Sequence, residues 1–420
     1  MEDKQYDIVV FGASGFTGQF VTEEIARTVH EQNRVLKWAI AGRNADKLHN
    51  VLNEASKQTG EDLQDVPVIV ADVSAQESLD KMCQKARLVL NCVGPYALYG
   101  EPVVRACVEN RTHHVDISGE VYFLEKMRLL YNGKAKEQGS YIIGACGWDS
   151  IPAEMGVIYT KKQFNGRLCY LENYVDHQSG SHGAVVNSGT WRSAVYSFSF
   201  KSELKRLRSS MPAVKMPEPK HPAPKRSLVF YSKDVNKWCV PFLGCDRSVV
   251  YRTQTDNFVN KQEQPVAFRA YQCIPSLLFF VGALPVVFAL GLLSSFSLGR
   301  RLLTKYPRFF TFGSFSDSGP SREQVADSSF SHTLVGYGHE GEEEGEGDAP
   351  KKKIVTRVSG PNAGYITTPI CMVQAAYVML TEAEKMPSKG GVFTPGAAFA
   401  DTTLLDRLQQ HNVTFSVLEQ

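Results

Sequence analysis

Residues 7–18 read Asp7-Ile8-Val9-Val10-Phe11-Gly12-Ala13-Ser14-Gly15-Phe16-Thr17-Gly18, and this stretch decides the fold. Four apolar residues run into glycines at i, i+3 and i+6, ahead of an amphipathic segment from Gln19 to His30. The pattern is strand, tight turn, helix. Gly12 lets the chain leave the strand sharply, Gly15 lets backbone N–H groups approach a pyrophosphate, and Gly18 lets the helix pack close. The positive end of the helix dipole then faces the phosphates. The spacing is GxxGxxG rather than the commoner GxGxxG, so its position between a strand and a helix carries the nucleotide reading. Ser14, Phe16 and Thr17 line the same loop.

Working outward, Lys37 to Gly42 reads as a second strand that ends on Arg43. In a dinucleotide fold the end of this strand meets the adenosine ribose. A guanidinium there suits a 2′-phosphate bidentately, which favours NADPH over NADH; the plainer alternative is a solvated surface arginine. Val66 to Asp72 is the third strand, and Asp72 either borders the adenine pocket or caps the helix beginning near Ala75. Arg87 to Val93 is the fourth, closing on Asn91-Cys92-Val93-Gly94-Pro95-Tyr96 at the expected nicotinamide end. Cys92 reads more simply as small packing than as a reactive thiol. Tyr96 is the candidate proton donor, against the alternative of an aromatic packed on the cofactor ring. His114 to Glu120 and Tyr141 to Gly147 supply two more strands with their loops. Strands alternating with helices at this spacing predict a doubly wound parallel sheet over residues 1–150. Asp116 and Glu120 lie at its ligand-facing edge, where loop acids ordinarily accept backbone N–H groups. No metal-ligating constellation occurs in this region of the chain, so no metal is expected.

The bulk numbers agree with a globular enzyme: 420 residues, 43% hydrophobic, 21% charged. A formal charge of +2 gives no reason to expect a nucleic-acid partner. Nine cysteines without a CxxC pair, and no basic-then-apolar leader before the first strand, predict a reduced, non-secreted setting.

Residues 151–420 read as a second α/β domain that holds the substrate, interrupted three times. Residues 201–226 are basic and proline-rich, and 338–353 form an acidic, glycine-rich loop. Between them, 274–298 carries no charge at all. About 20 apolar residues suffice to cross a bilayer, but a span would put residues 1–270 and the C-terminal segments on opposite sides. Pro285 at the centre predicts instead a broken hairpin over 272–299, with Arg269 before it and Arg300, Arg301, Lys305 and Arg308 after. That makes a lipid monolayer or membrane the expected partner. Ser179 to Gly189 is a Gly/Ser-rich loop that could close over substrate, and His182 within it reads as a possible acid/base or, more simply, as a solvated histidine; Arg192 lies in 190–194, which reads as the start of a helix.

FGASGFTG (11–18), AGR (41–43), NCVGPY (91–96), YGEPVVRAC (99–107), DISGE (116–120), GWDSIPAEMG (147–156), SGPNAGYITTP (359–369) and GGVFTPGAAF (390–399) together resemble the saccharopine dehydrogenase-like oxidoreductases. The resemblance covers nearly the whole chain. It implies a Rossmann domain followed by an α/β substrate domain. Gly12, Ser14, Gly15, Phe16, Thr17 and Gly18 would hold the pyrophosphate, Arg43 the 2′-phosphate, and Asn91 to Tyr96 would border the nicotinamide. A bacterial branch of the wider family looks like enoyl reductases acting on long acyl chains. The expectation is a membrane- or lipid-droplet-associated NADPH-dependent oxidoreductase, on the cytosolic face, with a lipid-like substrate. The alternatives are a catalytically silent NADP(H)-binding scaffold and a true saccharopine dehydrogenase. The second needs convergent Arg and Lys for several carboxylates, and the segments 147–156 and 177–196 offer only Arg192.

Overall fold

The computed structural model describes residues 4–31, 36–212, 214–217, 221–341, 349–387 and 390–420. Two seven-stranded sheets organise it. The first is built from β1 (Tyr6–Phe11), α1 (Phe16–Glu31), β2 (Trp38–Gly42), α2 (Ala45–Thr59), β3 (Val68–Val70), α3 (Gln76–Lys85), β4 (Ala86–Asn91), α4 (Tyr96–Glu109), β5 (His113–Asp116), α5 (Val121–Gln138) and β6 (Tyr141–Ile143). Its strand order is Gly391–Phe393, β6, β5, β4, β1, β2, β3, and every pairing is parallel. The order reverses at β1 and β4, so the loops that leave these two strands diverge and open a crevice at their carboxyl ends. Helices cover both faces, which is why β1, β2 and β4 are almost wholly buried. Local signals place the elements: Asn44 accepts the Lys47 N–H to start α2, and Gly60 ends it at φ +79°.

The sheet completes itself from a distance. Its edge strand Gly391–Phe393 comes from far beyond residue 150, after the buried helix Thr368–Thr381 has packed against α1. Three polar contacts hold α1 to the C-terminal half. Arg322 grips Glu23 bidentately, Gln374 donates to Thr28 Oγ1 at 3.1 Å, and His411 lies 3.3 Å from Glu24.

The second sheet runs Thr414–Glu419, Lys352–Pro361, Ser329–His339, β7 (Arg167–Gln178), Ala267–Ile274, Lys237–Pro241, Phe230–Ser232. Only β7 and Ala267–Ile274 pair in parallel. Helix α6 (Ile151–Gln163) packs on one face beside Leu171, Val175, Phe330, Leu334 and Val358. Helix α7 (Ser188–Ser199) lies between the two halves of the molecule.

Two expectations change. The apolar stretch is one continuous helix, Leu277–Leu293, not a hairpin broken at Pro285. Pro285 sits on the exposed side, so its missing N–H leaves only the outward Val281 carbonyl without an intrahelical donor. Packing of Val286, Leu290 and Leu293 on the body keeps the turns on either side in line. The chain turns at Ser294–Phe296 and continues as the helix Ser297–Lys305. The basic, proline-rich segment expected as a loop over 201–226 begins as the helix Lys201–Ser210, where the prolines have not yet started. Most of the acidic run, 342–348, lies outside the described residues.

Candidate functional site

The glycine loop has the stereochemistry its sequence demands. Gly12 adopts φ +83°, and a Cβ there would lie 2.7 Å from Val93 Cγ2 and 3.2 Å from the Cys92 carbonyl carbon. A Cβ on Gly18 would overlap the Gly12 carbonyl oxygen, so α1 approaches the turn as only glycine permits. Gly15 N–H donates to Gly12 O at 2.9 Å, and Gly15 is exposed at the mouth of the crevice. Ser14 is half-buried, its Oγ beside Gly42. Thr17 is half-buried in the first turn of α1. Phe16 points elsewhere: its ring meets Tyr365 edge-on at 4.9 Å and Phe20 at 5.6 Å, so it docks the loop onto the C-terminal half.

Arg43 is exposed at the end of β2 and forms no ion pair among the described residues. Asp72 lies near it at the end of β3. The Asp72 carboxylate accepts Ser74 N–H and Ser74 Oγ–H, both at 2.8 Å, and these bonds, with a smaller contribution from the Arg43 charge, hold it below the usual carboxylate range. It closes its own turn ahead of α3. A glycine turn that brings the N-terminus of α1 to the crevice, with an exposed guanidinium at the end of β2 that forms no ion pair among the described residues, fits a dinucleotide carrying a 2′-phosphate.

At the other end of the crevice, Asn91 is fully buried; its Oδ1 accepts Val93 N–H at 3.0 Å and its Nδ2 lies 3.4 Å from His114 Nε2. Gly94 is exposed, and Val93 is half-buried against Gly12. Burial and the Asp116 charge push the Cys92 thiol up to about 12, and its Sγ rests 3.8 Å from Met372 Sδ: a packed thiol, not an activated one. The Tyr96 phenol is 6% exposed and already donates to Asn91 O at 2.8 Å. Burial, above all, lifts its pKa well above the ordinary value. This geometry suits an anchor for the strand end better than a proton donor.

Glu120 is the loop acid expected to accept backbone N–H groups, and the groups it accepts belong to the distant 91–97 turn. Glu120 is buried, and its carboxylate accepts the first N–H groups of α4, from Tyr96 at 2.8 Å and Ala97 at 2.9 Å. The Ser193 hydroxyl of α7 lies close to the same carboxylate and favours its charged form. A charge on the N-terminus of α4 is favoured by the dipole. Asp116 is similarly committed, with Oδ1 accepting Ser118 N–H at 2.9 Å and Ala145 N–H at 3.1 Å.

Burial raises the Asp116 carboxyl from 3.8 to about 7, against those two hydrogen bonds. Below about pH 4 the group is protonated in folded and unfolded chains alike. From about pH 4 to 7 only the folded chain keeps the proton, so this group's contribution to stability falls as pH rises through that window. Asp116→Asn keeps an acceptor for both N–H groups and cannot ionise. Its stability relative to the natural protein is expected to rise by up to roughly 4 kcal/mol between those limits. Urea titrations at several pH values check this; parallel profiles for the two proteins would contradict it.

Trp148 packs in an aromatic cluster against the second sheet. Trp148 N–H donates to Thr368 Oγ1 at 3.1 Å, one turn of helix before Met372. Its ring meets His177 at 4.7 Å, His332 at 5.4 Å and Phe330 at 5.7 Å. Trp148 Nε1 and His332 Nε2 are buried without a hydrogen-bond partner among the described residues. Arg192, the one strong cation in the cleft segments, is engaged by Asp317 at 2.9 Å, and His182 is exposed and paired with Asp327 at 3.0 Å. Among the described residues no cluster of His, Cys, Asp or Glu is arranged to hold a metal.

Residues 8–143 match the family described as Saccharopine dehydrogenase NADP binding domain. A rat protein (Rattus norvegicus) named Saccharopine dehydrogenase-like oxidoreductase is 46% identical over 426 residues, spanning 99% of this chain and 98% of its own. A Caenorhabditis elegans protein named Lipid droplet localized protein is 38% identical over 422 residues, 98% of each chain. Among solved structures, apo saccharopine dehydrogenase (L-Glu forming) from Saccharomyces cerevisiae matches with a TM-score of 0.55 at 12% identity, covering 98% of this chain and 100% of that one. At that identity the likeness is one of fold.

Proposed function

The chain belongs to the saccharopine dehydrogenase-like oxidoreductases, and from that premise we propose that it uses NADPH to reduce an apolar, lipid-like substrate while held at a lipid surface. It is an oxidoreductase with an NADP-binding domain. Backbone N–H groups of residues 12–18 and the N-terminus of α1 would hold the pyrophosphate, and Arg43 the 2′-phosphate. Asn91 to Gly94 would border the nicotinamide, with Glu120 keeping that turn in place. The bound cofactor supplies the hydride. On the substrate side, the unpartnered Trp148 Nε1–H and His332 Nε2 suit a substrate oxygen, and the surrounding rings suit an apolar body.

One observation carries the lipid reading. On α7, Trp191 and Val195 pack under the apolar helix with Leu290 and Leu303, and Trp191 Nε1–H donates to Leu303 O at 2.9 Å. Ser193, on the other side of α7, lies beside Gly94 in the 91–97 turn, its Oγ 3.8 Å from where a Cβ on that glycine would be. The exposed apolar surface and the nicotinamide end of the cleft are therefore a single helix apart. The name of the nematode relative points the same way. A substrate with several carboxylates is disfavoured, since Arg192 is already paired with Asp317.

The test is NADPH consumption by the full chain, with long-chain 2-enoyl and keto lipids presented in phosphatidylcholine vesicles, against soluble short-chain analogues. Each methylene lost from a buried chain costs about 0.8 kcal/mol, so shortening by several should lower kcat/KM by roughly two orders of magnitude. NADPH binding with no consumption would favour a silent scaffold. Consumption confined to polycarboxylate amino acids would favour saccharopine chemistry.

A further inference from the structure

Resting on the lipid-surface reading above, we propose that residues 277–312 form a flat docking platform for an anionic lipid surface, with Arg301, Lys305 and Arg308 meeting its headgroups. The helix Leu277–Leu293 touches the body along one stripe, Phe280, Ala283, Val286, Leu290 and Leu293, while most of its other positions are exposed. The stripe runs about 20 Å at 1.5 Å per residue, with Val286, Leu290 and Leu293 packed on Trp191, Val195 and Leu303, so the helix lies along the body rather than projecting from it. A spanning helix would need lipid all round; this one has protein along one side. Leu278 is 81% exposed and Phe288 70%. More than half of the large apolar side chains exposed among the described residues fall between 277 and 312, far beyond the scattered exposure of ordinary surfaces.

The following helix Ser297–Lys305 identifies the partner. Gly299 and Leu303 face inward, while Leu298, Arg301, Leu302 and Lys305, at i, i+3, i+4 and i+7, share the outer face. Tyr306, Arg308, Phe309 and Phe312 continue that exposed surface. A face that carries leucine and phenylalanine beside arginine and lysine is poorly suited to water or to a dry protein interface. It suits the boundary of a lipid layer, where the rings enter the acyl region and the cation stems reach back to phosphate and carboxylate groups. Arg301, Lys305 and Arg308 form no ion pair among the described residues, whereas Arg192, Arg226 and Arg322 are each engaged by a carboxylate. The open groove beside Lys305 and Arg308 presents the Ser316 and Ser318 hydroxyls. Its one carboxylate, Asp317, is taken up by Arg192 and Ser188.

The experiment is flotation of the full-length protein with vesicles of phosphatidylcholine alone or mixed with phosphatidylserine, at low and high salt. At about 1 kcal/mol for each of three cations near the surface, low-salt binding should be roughly a hundredfold tighter on the anionic vesicles, and the difference should shrink as salt rises. The triple variant Arg301→Glu, Lys305→Glu, Arg308→Glu should lose that preference but keep its NADPH binding and its weak affinity for neutral vesicles. Leu278→Asp with Phe288→Asp should lose binding to both. Equal binding to the two vesicle types would overturn the headgroup assignment and leave the lipid-surface reading standing. Binding to neither would overturn both. Protease mapping in microsomes that placed 1–270 and 313–420 on opposite sides would establish a span and overturn the flat platform.

Discussion

Arg43→Ala is expected to weaken NADPH binding roughly ten- to a hundredfold and to leave NADH binding within about twofold. The range follows from the loss of one or two charge-assisted hydrogen bonds to a phosphate, each about 1.5–3 kcal/mol. Because Arg43 is exposed, the effect should sit at the lower end of that range and shrink with salt. The side chain makes no ion pair among the described residues, and Asn44, not Arg43, caps α2. Its removal should therefore leave the melting temperature almost unchanged. Titration of both cofactors against both proteins is the measurement. Equal losses for NADPH and NADH, or no loss for either, would take Arg43 out of the 2′-phosphate site.

Gly12→Val is expected to abolish measurable NADPH binding and to cost roughly 3 kcal/mol of stability, for two independent reasons. A β-branched residue at φ +83° is strained by about 1–3 kcal/mol, and its Cβ would press into Val93 Cγ2 at 2.7 Å. The turns after β1 and β4 would have to separate, and these are the two that open the crevice. Gly15→Ala is the informative partner. Its backbone is not left-handed, and its Cβ would meet only Gly12 O, at 3.1 Å. That protein should fold almost as the natural one does, yet bind NADPH more weakly because the methyl group occupies the phosphate approach. Denaturant unfolding and cofactor titration separate the two effects. A Gly15→Ala protein with unchanged NADPH affinity would mean that the loop does not hold the pyrophosphate.

The unequal legibility of the site follows from how each piece of it is specified. Arg43, Gly12 and Gly18 were readable because the end of a strand and the start of a helix are written within a few residues. Tyr96 was misleading for the same reason: its place after Pro95 was legible, but the bond from its hydroxyl to Asn91 O depends on how α4 meets β4. Glu120 carries the 91–97 turn through the N–H groups of Tyr96 and Ala97, 24 and 23 positions away, and no local spacing reveals such a contact. Phe16 looked like a member of the phosphate loop, and its ring belongs to a cluster with Tyr365 that forms only when the C-terminal half docks.

By itself the sequence determined the doubly wound parallel sheet, the glycine turn at its switch point, the arginine at the end of β2 and the existence of an apolar segment. Periodicity, glycine placement and charge-free length are local properties, and local chain physics acts on them directly. Tertiary structure decided the rest. It made the apolar segment one surface helix instead of a hairpin at Pro285, because packing along a single stripe outweighs one missing hydrogen bond on the exposed side. It brought Gly391–Phe393 back to the edge of the first sheet, where open backbone groups required a partner. It also set α7 between the apolar surface and the nicotinamide end of the cleft, a juxtaposition that arises only when side chains far apart in sequence are buried together.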